Sequence, residues 1–471
     1  MTNTDLFPIG LDRLQSQLHR FNEIPTFHIT AKIEDVNNIH EKYTDDIKVP
    51  CNLTYITSDG LKLFSNASLS IGGRSSRHFT KLPYNIALNH GDRLEGYRKF
   101  KLRSCASDPS YMRERLAYDM LYATHRPASR ASHVRIYIND KAIGLFLLTE
   151  KYDDRWLRNE YNHGEIYDSG NLYRAKGALP KSNIFADLSY HPENTSFYDI
   201  YTVEGQAKHE NSTLDALVSF TKFINDQLQW QLQNPNELDT SVDVWETQMN
   251  VKGFLTNMAL EFMLGSWDGY LENTQNFYLY KEPTTQMMDW IGWDYDYVLG
   301  SGTVKMERML IGNYSDFSGM LTRPLTKALL AIPTFQDLMD AQVDAINQAF
   351  FMPRSVFPII DAWAEFLKHD IEWDQNLKPV RQGKSFSAMF GQGANGKGVD
   401  SLTTKHQTGM SFPLDFDMGT AADFLFRINS KLPLNLVMNG PTKHASLLGL
   451  KEYFLKKSDN VKHYYDTIPP Q

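Results

Sequence analysis

Charge set against apolar walls constrains this chain more than any other feature, and it is concentrated in residues 260–302, LEFMLGSWDGYLENTQNFYLYKEPTTQMMDWIGWDYDYVLGSG. Asp268, Asp294 and Asp296 stand at turns beside apolar or aromatic runs, and Asn273 and Asn276 follow the first of them closely. A carboxylate in such a place is costly unless it meets a cation, a donor network or a substrate proton, so the pattern reads as a site. Upstream, Val251, Phe254, Leu255, Met258, Ala259, Phe262 and Met263 recur at helical spacing as far as Gly265 and Ser266. The spacing predicts a packed helix that delivers Asp268 to a loop. Residues 276–280 and 287–293 are strand-like around a turn at 282–285, which predicts a hairpin between Asp268 and Asp294.

Helix, loop with Asp and Asn, hairpin, then Asp is the order in which a protein-kinase fold presents its base and its metal ligands. Phosphoryl transfer needs hard oxygen ligands for Mg²⁺ and one carboxylate near the acceptor hydroxyl. Asp268 and Asn273 have the separation found in H-R-D-L-x-x-x-N, but Ser266 and Trp267 replace the His and Arg. D-F-G is replaced by Asp294-Tyr295-Asp296, with glycine only at Gly300. These departures exclude an ordinary kinase and leave a distant relative open.

The remaining chain narrows the class. With 471 residues it has room for a large core, and a net charge of −8 argues against a dedicated nucleic-acid binder. Cys51 and Cys105 make neither a disulfide framework nor a zinc cluster. No signal peptide is expected from MTNTDLFPIG, and no apolar run is long enough to span a membrane. Asn52, Asn66, Asn194, Asn211 and Asn313 begin N-x-[ST] triplets, a weak pointer to secretion. Residues 50–153 read as β-rich, with the loop Gly72-Gly73-Arg74-Ser75-Ser76 between strands. Such a loop either offers backbone N–H groups to phosphates or is a plain turn. Asp108 and Pro109 predict a helix start, with Met112, Leu116, Ala117, Met120 and Leu121 on one face. Residues 134–138 and 145–149 predict a hairpin ending at Glu150, and 214–232, 325–330, 338–351 and 356–367 predict helices. Gly391 to Lys397 spells a phosphate-loop pattern, but Gly398 stands where Ser or Thr should hold the metal, so a plain loop is expected.

Several pieces together resemble the CotH (spore coat protein H) family of atypical protein kinases, and its fungal members most closely. They are Ile71-Gly72-Gly73-Arg74-Ser75-Ser76 with Lys81; Phe100-Lys101-Leu102-Arg103 with Asp108-Pro109 and Arg113-Glu114-Arg115; Val134 to Asn139 leading to Gly144-Leu145-Phe146; Trp267-Asp268-Gly269-Tyr270; Trp293-Asp294-Tyr295-Asp296; and Glu372-Trp373-Asp374. The resemblance implies an α+β, two-lobed kinase-like fold: an extension over 1–49, a small lobe over 50–153 and a larger helical lobe over 154–471.

It also implies transfer of the γ-phosphoryl group of ATP, with Mg²⁺ or Mn²⁺, to Ser or Thr hydroxyls of a spore-coat or surface protein. In that reading Asp268 serves the acceptor, Asn273 or Asn276 and Asp294 or Asp296 hold the metal, and Lys81 grips phosphates. Gly72, Gly73, Ser75 and Ser76 approach the nucleotide, Glu114 pairs with Lys81, and Glu150 marks the hinge. Arg103 and Arg113 are alternative phosphate or carboxylate partners. Glu372-Trp373-Asp374 is either a structural corner or a sugar or metal site. The fungal members are also described as adhesins, so a module binding a surface receptor is the second expectation. A glycosidase using Asp268 and Asp294 is the third.

Overall fold

Alternation along residues 48–57 puts Val49, Cys51, Leu53 and Tyr55 on one buried face, and the same period in neighbouring strands builds a closed barrel. The computed structural model describes residues 13–14, 16–179, 184–205, 214–381, 417–428 and 430–467. Its first strands are β1 (Thr26–Thr30), β2 (Lys48–Thr57), β3 (Gly60–Ile71), β4 (Tyr84–Ala87), β5 (Lys99–Arg103), β6 (Ala131–Ile138) and β7 (Lys141–Glu150). They follow the order β1-β2-β3-β4-β5-β7-β6. Every neighbouring pair is antiparallel except β1 with β6, which closes the ring in parallel from Thr26↔Arg135 to Ile29↔Ile138. Phe27, Leu53, Leu69, Phe100, Leu102, Ile136 and Leu148 are buried within this core.

The barrel therefore starts before residue 50. Residues 26–30 supply a strand, and helix α1 (Ile33–Glu41) turns Val36 and Ile39 into the same core. Helix α2 (Arg113–Ala123) begins just after the expected Asp108–Pro109 start, and Asp108 accepts the Arg113 N–H at 2.8 Å.

Beyond α3 (Asp154–Tyr161), the polar region contains β8 (Leu172–Lys176), the short pair β9 (Ala178–Leu179) and β10 (Ile184–Phe185), and β11 (Tyr201–Gly205). The predicted hairpin is β12 (Gln275–Lys281) with β13 (Met288–Gly292), and it completes a four-stranded sheet in the order β11-β8-β12-β13. Helices α4 (Asp215–Gln233), α5 (Val242–Gln248) and α6 (Val251–Leu264) precede that hairpin. In α6 every residue but Lys252 is buried, so the helix forms the axis of a second core. Helices α7 (Tyr270–Asn273), α8 (Met306–Met309), α9 (Pro324–Leu329), α10 (Pro333–Ile346) and α11 (Pro353–Asn376) follow, and further helices run over Met418–Arg427, Leu434–Asn439 and Leu450–Thr467. The fold is α+β. No helix among the described residues is long and apolar enough to cross a membrane. The phosphate-loop-like stretch 391–397 lies outside the described residues.

The end of α11 is fastened to the barrel. Asp374 takes the Lys81 ammonium at 2.7 and 2.8 Å, the Leu145 N–H at 2.8 Å and the Tyr111 hydroxyl. Gly144, at φ +135°, makes room for it, since a Cβ there would lie 1.9 Å from the Asp374 carboxylate. Glu372-Trp373-Asp374 is thus the last turn of a helix, and its aspartate is a tie to the barrel. Removing one partner of a buried pair leaves the other charge uncompensated, at about 3 kcal/mol or more. Asp374→Ala is expected to lower the unfolding free energy by about that amount in urea titrations. A loss of under about 1 kcal/mol would show the tie to be unimportant.

Candidate active site

Helix α6 ends at Gly265 in the left-handed conformation, φ +61°, and the chain turns sharply to present Asp268. Three side-chain amides converge on its carboxylate: Asn273 Nδ2 donates at 2.7 Å, Asn276 Nδ2 at 2.9 Å, and Gln275 Nε2 also donates. Asn276 Nδ2 also reaches the Asp268 carbonyl at 2.9 Å, which fixes the loop against the start of β12. Thr274 and Asn276 adopt positive φ, 51° and 61°, and this allows the amides on either side to turn back toward Asp268. Burial pushes the Asp268 carboxyl up, the amide donors oppose it and the negative charge of Asp294 adds to it, leaving a value of about 7.

Across the cleft, Asp294 and Asp296 follow β13. Arg103, at the end of β5, meets both: its Nη2 pairs with Asp294 Oδ1 and lies 3.1 Å from Asp296 Oδ2. Its Nε donates to Glu114 Oε2 on α2 at 2.9 Å. Burial opposes ionisation of Asp294, but Arg103 and Lys101 outweigh it and hold this carboxyl below its usual range. Burial pushes Asp296 well above that range, and the carboxylates of Asp294, Glu114 and Asp268 push it further against the pull of Arg103. Two neighbouring carboxyls are thus pushed in opposite directions.

The structure redistributes several expected roles. Lys81 faces Asp374 instead of Glu114, and the cation that meets Glu114 is Arg103. The strand leading into the helix, β5, carries that cation, whereas Lys81 precedes β4. Arg113 is fully buried and committed to Asp108 at 2.6 Å and to the carbonyls of Leu299 at 3.1 Å and Leu448 at 2.7 Å, so it is a structural arginine. Glu150 is turned inward to Arg13 at 2.9 Å and Trp156 Nε1 at 2.9 Å, and its N–H is taken by Ser129 Oγ at 2.8 Å. Its side chain and its N–H are thus both engaged within the protein.

Gly72, Gly73 and Ser76 do border a cleft with Lys101, Arg103, Cys105, Glu114 and Asp296. Gly73, at φ +71°, brings the backbone so close to Ser76 that a Cβ would lie 2.0 Å from its Oγ. Ser75 starts the short turn Ser75–His78 behind this loop, and Arg77 Nε pins the Gly73 carbonyl at 2.9 Å.

Two contributors escaped the sequence reading. Lys101 sits one strand period before Arg103, 3.8 Å from the centre of the Trp293 ring, and burial pulls its ammonium pKa down. Its signal is the alternation of Lys99, Lys101 and Arg103 with buried Phe100 and Leu102. Gln275 is the other, an amide between the two asparagines that were singled out.

Among the described residues no three His, Cys, Asp or Glu side chains are gathered as a metal site. A Mg²⁺ or Mn²⁺ ion bound through phosphates needs only one or two carboxylates beside an amide oxygen, and Asp294, Asp296 and Asn276 offer that hard-oxygen set. Four acidic side chains, Asp268, Asp294, Asp296 and Glu114, act on one another, against three cations, Arg103, Lys101 and Arg174, gathered about Asp294. Glu114 Oε1 is buried without a hydrogen-bond partner. The donor set and the surplus of acid both fit a divalent cation.

The family model described as CotH kinase protein matches residues 69–389. The chain is similar to Rhizopus delemar proteins named Invasin CotH3, 26% identical over 79% of this chain and 60% of that protein, and Invasin CotH2, 25% identical over 79% and 61%. It is also similar to Inner spore coat protein H of Bacillus subtilis, 21% identical over 76% of this chain and 90% of that protein. The chain spans about three-fifths of the length of these Rhizopus relatives.

The raised Asp268 carboxyl has a measurable sign. Between its ordinary value of 3.8 and about 7 the folded chain keeps a proton that the unfolded chain has lost, so this group's contribution to stability falls as pH rises through that window. Asp268→Asn removes the titration. Between about pH 5 and about pH 8 the variant is expected to lose less unfolding free energy than the wild type, by about 2 to 3 kcal/mol in urea titrations. Equal losses would mean that Asp268 is already ionised at the lower pH.

Proposed function

The chain belongs to the CotH kinase family, and from that premise we propose that it is an atypical protein kinase transferring the γ-phosphoryl group of ATP to Ser or Thr hydroxyls of a protein. In this reading the barrel through residue 153 is the smaller lobe and the remainder the larger one. The observation that carries the proposal is the split between facing carboxyls. Burial and the charge of Asp294 raise the Asp268 carboxyl to about 7 against its amide donors, whereas Arg103 and Lys101 hold Asp294 ionised. Facing acids pushed apart in this way are suited to a proton acceptor on one side and an electrostatic anchor on the other.

The residues then divide the work. Asp268 orients the acceptor hydroxyl and takes its proton as the oxygen bonds to phosphorus and the bond from phosphorus to ADP breaks. Asn273 and Gln275 keep the Asp268 carboxylate aimed, and Asn276 and Asp294, with Asp296, would hold the divalent ion. That ion, when bound, neutralises the charge of the phosphates. Lys101 and Arg103 bring positive charge to the phosphates from β5, and the Gly72–Gly73 turn lets backbone approach them.

The relatives' names favour a second reading, a surface module that binds a receptor, since two are called invasins. The names also support a place on a spore coat or cell surface.

Labelled γ-phosphate transfer to the chain itself and to Ser-rich peptides, with Mg²⁺ or Mn²⁺, tests the kinase. Asp268→Ala and Asp294→Ala are expected to lower transfer by at least about a hundredfold with the fold intact. ATP at about a hundred times its Kd should stabilise the wild type by about 2.7 kcal/mol, only with the metal. Neither transfer nor stabilisation with any divalent ion would end the kinase reading and favour the receptor-binding one.

A further inference from the structure

Between Asp268 and Asn273 lies a short peptide, Gly269 to Glu272, that the proposed chemistry leaves without a role. It is gripped from two sides, by a carboxyl group and by a guanidinium. On one side is Glu261, in the last turn of α6, only 2% exposed. Its carboxylate accepts the N–H of Tyr270 at 3.3 Å and of Leu271 at 3.2 Å. A carboxylate near a helix C-terminus opposes the helix dipole, and burial there is costly, so α6 alone gives no reason for this residue. The first turn of α7 does, because its N–H groups have no partners within their own helix.

On the other side Arg323, at the start of α9, donates to the carbonyl of Leu271 at 2.7 Å and to that of Glu272 at 2.7 Å. The Glu272 side chain pairs with Arg308 at 2.8 Å. Glycines allow the approach on both sides. A Cβ at Gly269 would lie 2.6 Å from Glu261 Oε2, and one at Gly319 would lie 1.8 Å from the Leu271 carbonyl. The N–H groups of residues 270 and 271 and the carbonyls of 271 and 272 are therefore held by one carboxyl group and one guanidinium from separate helices.

We propose that Glu261 and Arg323 are positioning residues for the reaction of Asp268: they hold the peptide 269–272 rigid, so that the Asp268 carboxyl and the Asn273 and Asn276 amides meet in one geometry. This inference rests on the kinase reading for its chemistry but not for its geometry. Glu261 acts through two backbone amides and Arg323 through two carbonyls, and neither touches the reacting groups. Loosening the peptide should slow the chemical step and leave nucleotide affinity alone.

The test uses the full chain carrying Glu261→Gln, which keeps one acceptor, Glu261→Ala, which keeps none, and Arg323→Lys, which keeps charge but loses the fork. Two readouts are taken: kcat and KM for ATP, and hydrogen exchange of the amides in 269–272 followed by mass spectrometry. The expected result is faster exchange at 269–272 with barrel exchange unchanged, a kcat lowered by about tenfold or more, and KM within about twofold. Glu261→Gln should fall between wild type and Glu261→Ala in both readouts. Should Glu261→Ala fail to fold, the half-buried Arg323→Lys decides alone.

Unchanged exchange overturns the proposal, and so does faster exchange with unchanged kcat. A wild type without transfer overturns the kinase reading only; faster local exchange in the variants then still upholds the clamp, and unchanged exchange still overturns it.

Discussion

A single guanidinium joins the parts of this fold that would otherwise repel one another. Arg103 leaves β5 and meets Glu114 of α2, Asp294 and Asp296, so a strand, a helix and the turn after β13 share one cation. Without it three carboxyl groups would lie together with no guanidinium among them, and loss of one partner from such a buried cluster costs about 3 kcal/mol or more. Lys101 helps from the same face of the same strand, with its ammonium over Trp293. The barrel and the second sheet are therefore coupled electrostatically at the cleft, as well as through the aromatic packing of Tyr152 on Trp156, Tyr278 and Trp293.

That coupling also sorts the acids by proton affinity. Asp294 lies against Arg103 and is held low, while Asp296, sharing the same arginine with two other acids, is pushed up. Asp268 has amides in place of a cation and so sits between these extremes. Neighbours of one chemical type thus acquire different behaviour from their surroundings alone, which is what an acid–base reaction at neutral pH requires.

Much of the site was legible because its contacts are local. The helix before Asp268, the amides five and eight residues after it and the hairpin before Asp294 all follow from spacing. Contacts across the chain were not legible. Lys81 finds its partner 293 residues away in Asp374, and nothing near either residue announces the other. Glu114 was placed correctly on its helix, but its partner is Arg103 rather than the lysine that a kinase template suggests. Strand β1 is five residues long and takes its second neighbour from β6, so a short run of weak alternation concealed the closure of the barrel. Gln275 has no counterpart in a motif that pairs an aspartate with an asparagine, and only the turn at Thr274 and Asn276 brings its amide to Asp268.

The parallel pairing of β1 with β6 carries a lesson for anyone who shortens this chain. A fragment beginning at residue 50 would retain most of the barrel's residues but lose the strand that seals it, leaving unpaired backbone along β2 and along β6. Two such open edges on one molecule invite strand exchange between copies, and the natural donor is the missing segment of another chain. A trimmed version would tend toward swapped assemblies, since β1 is the strand that covers both edges.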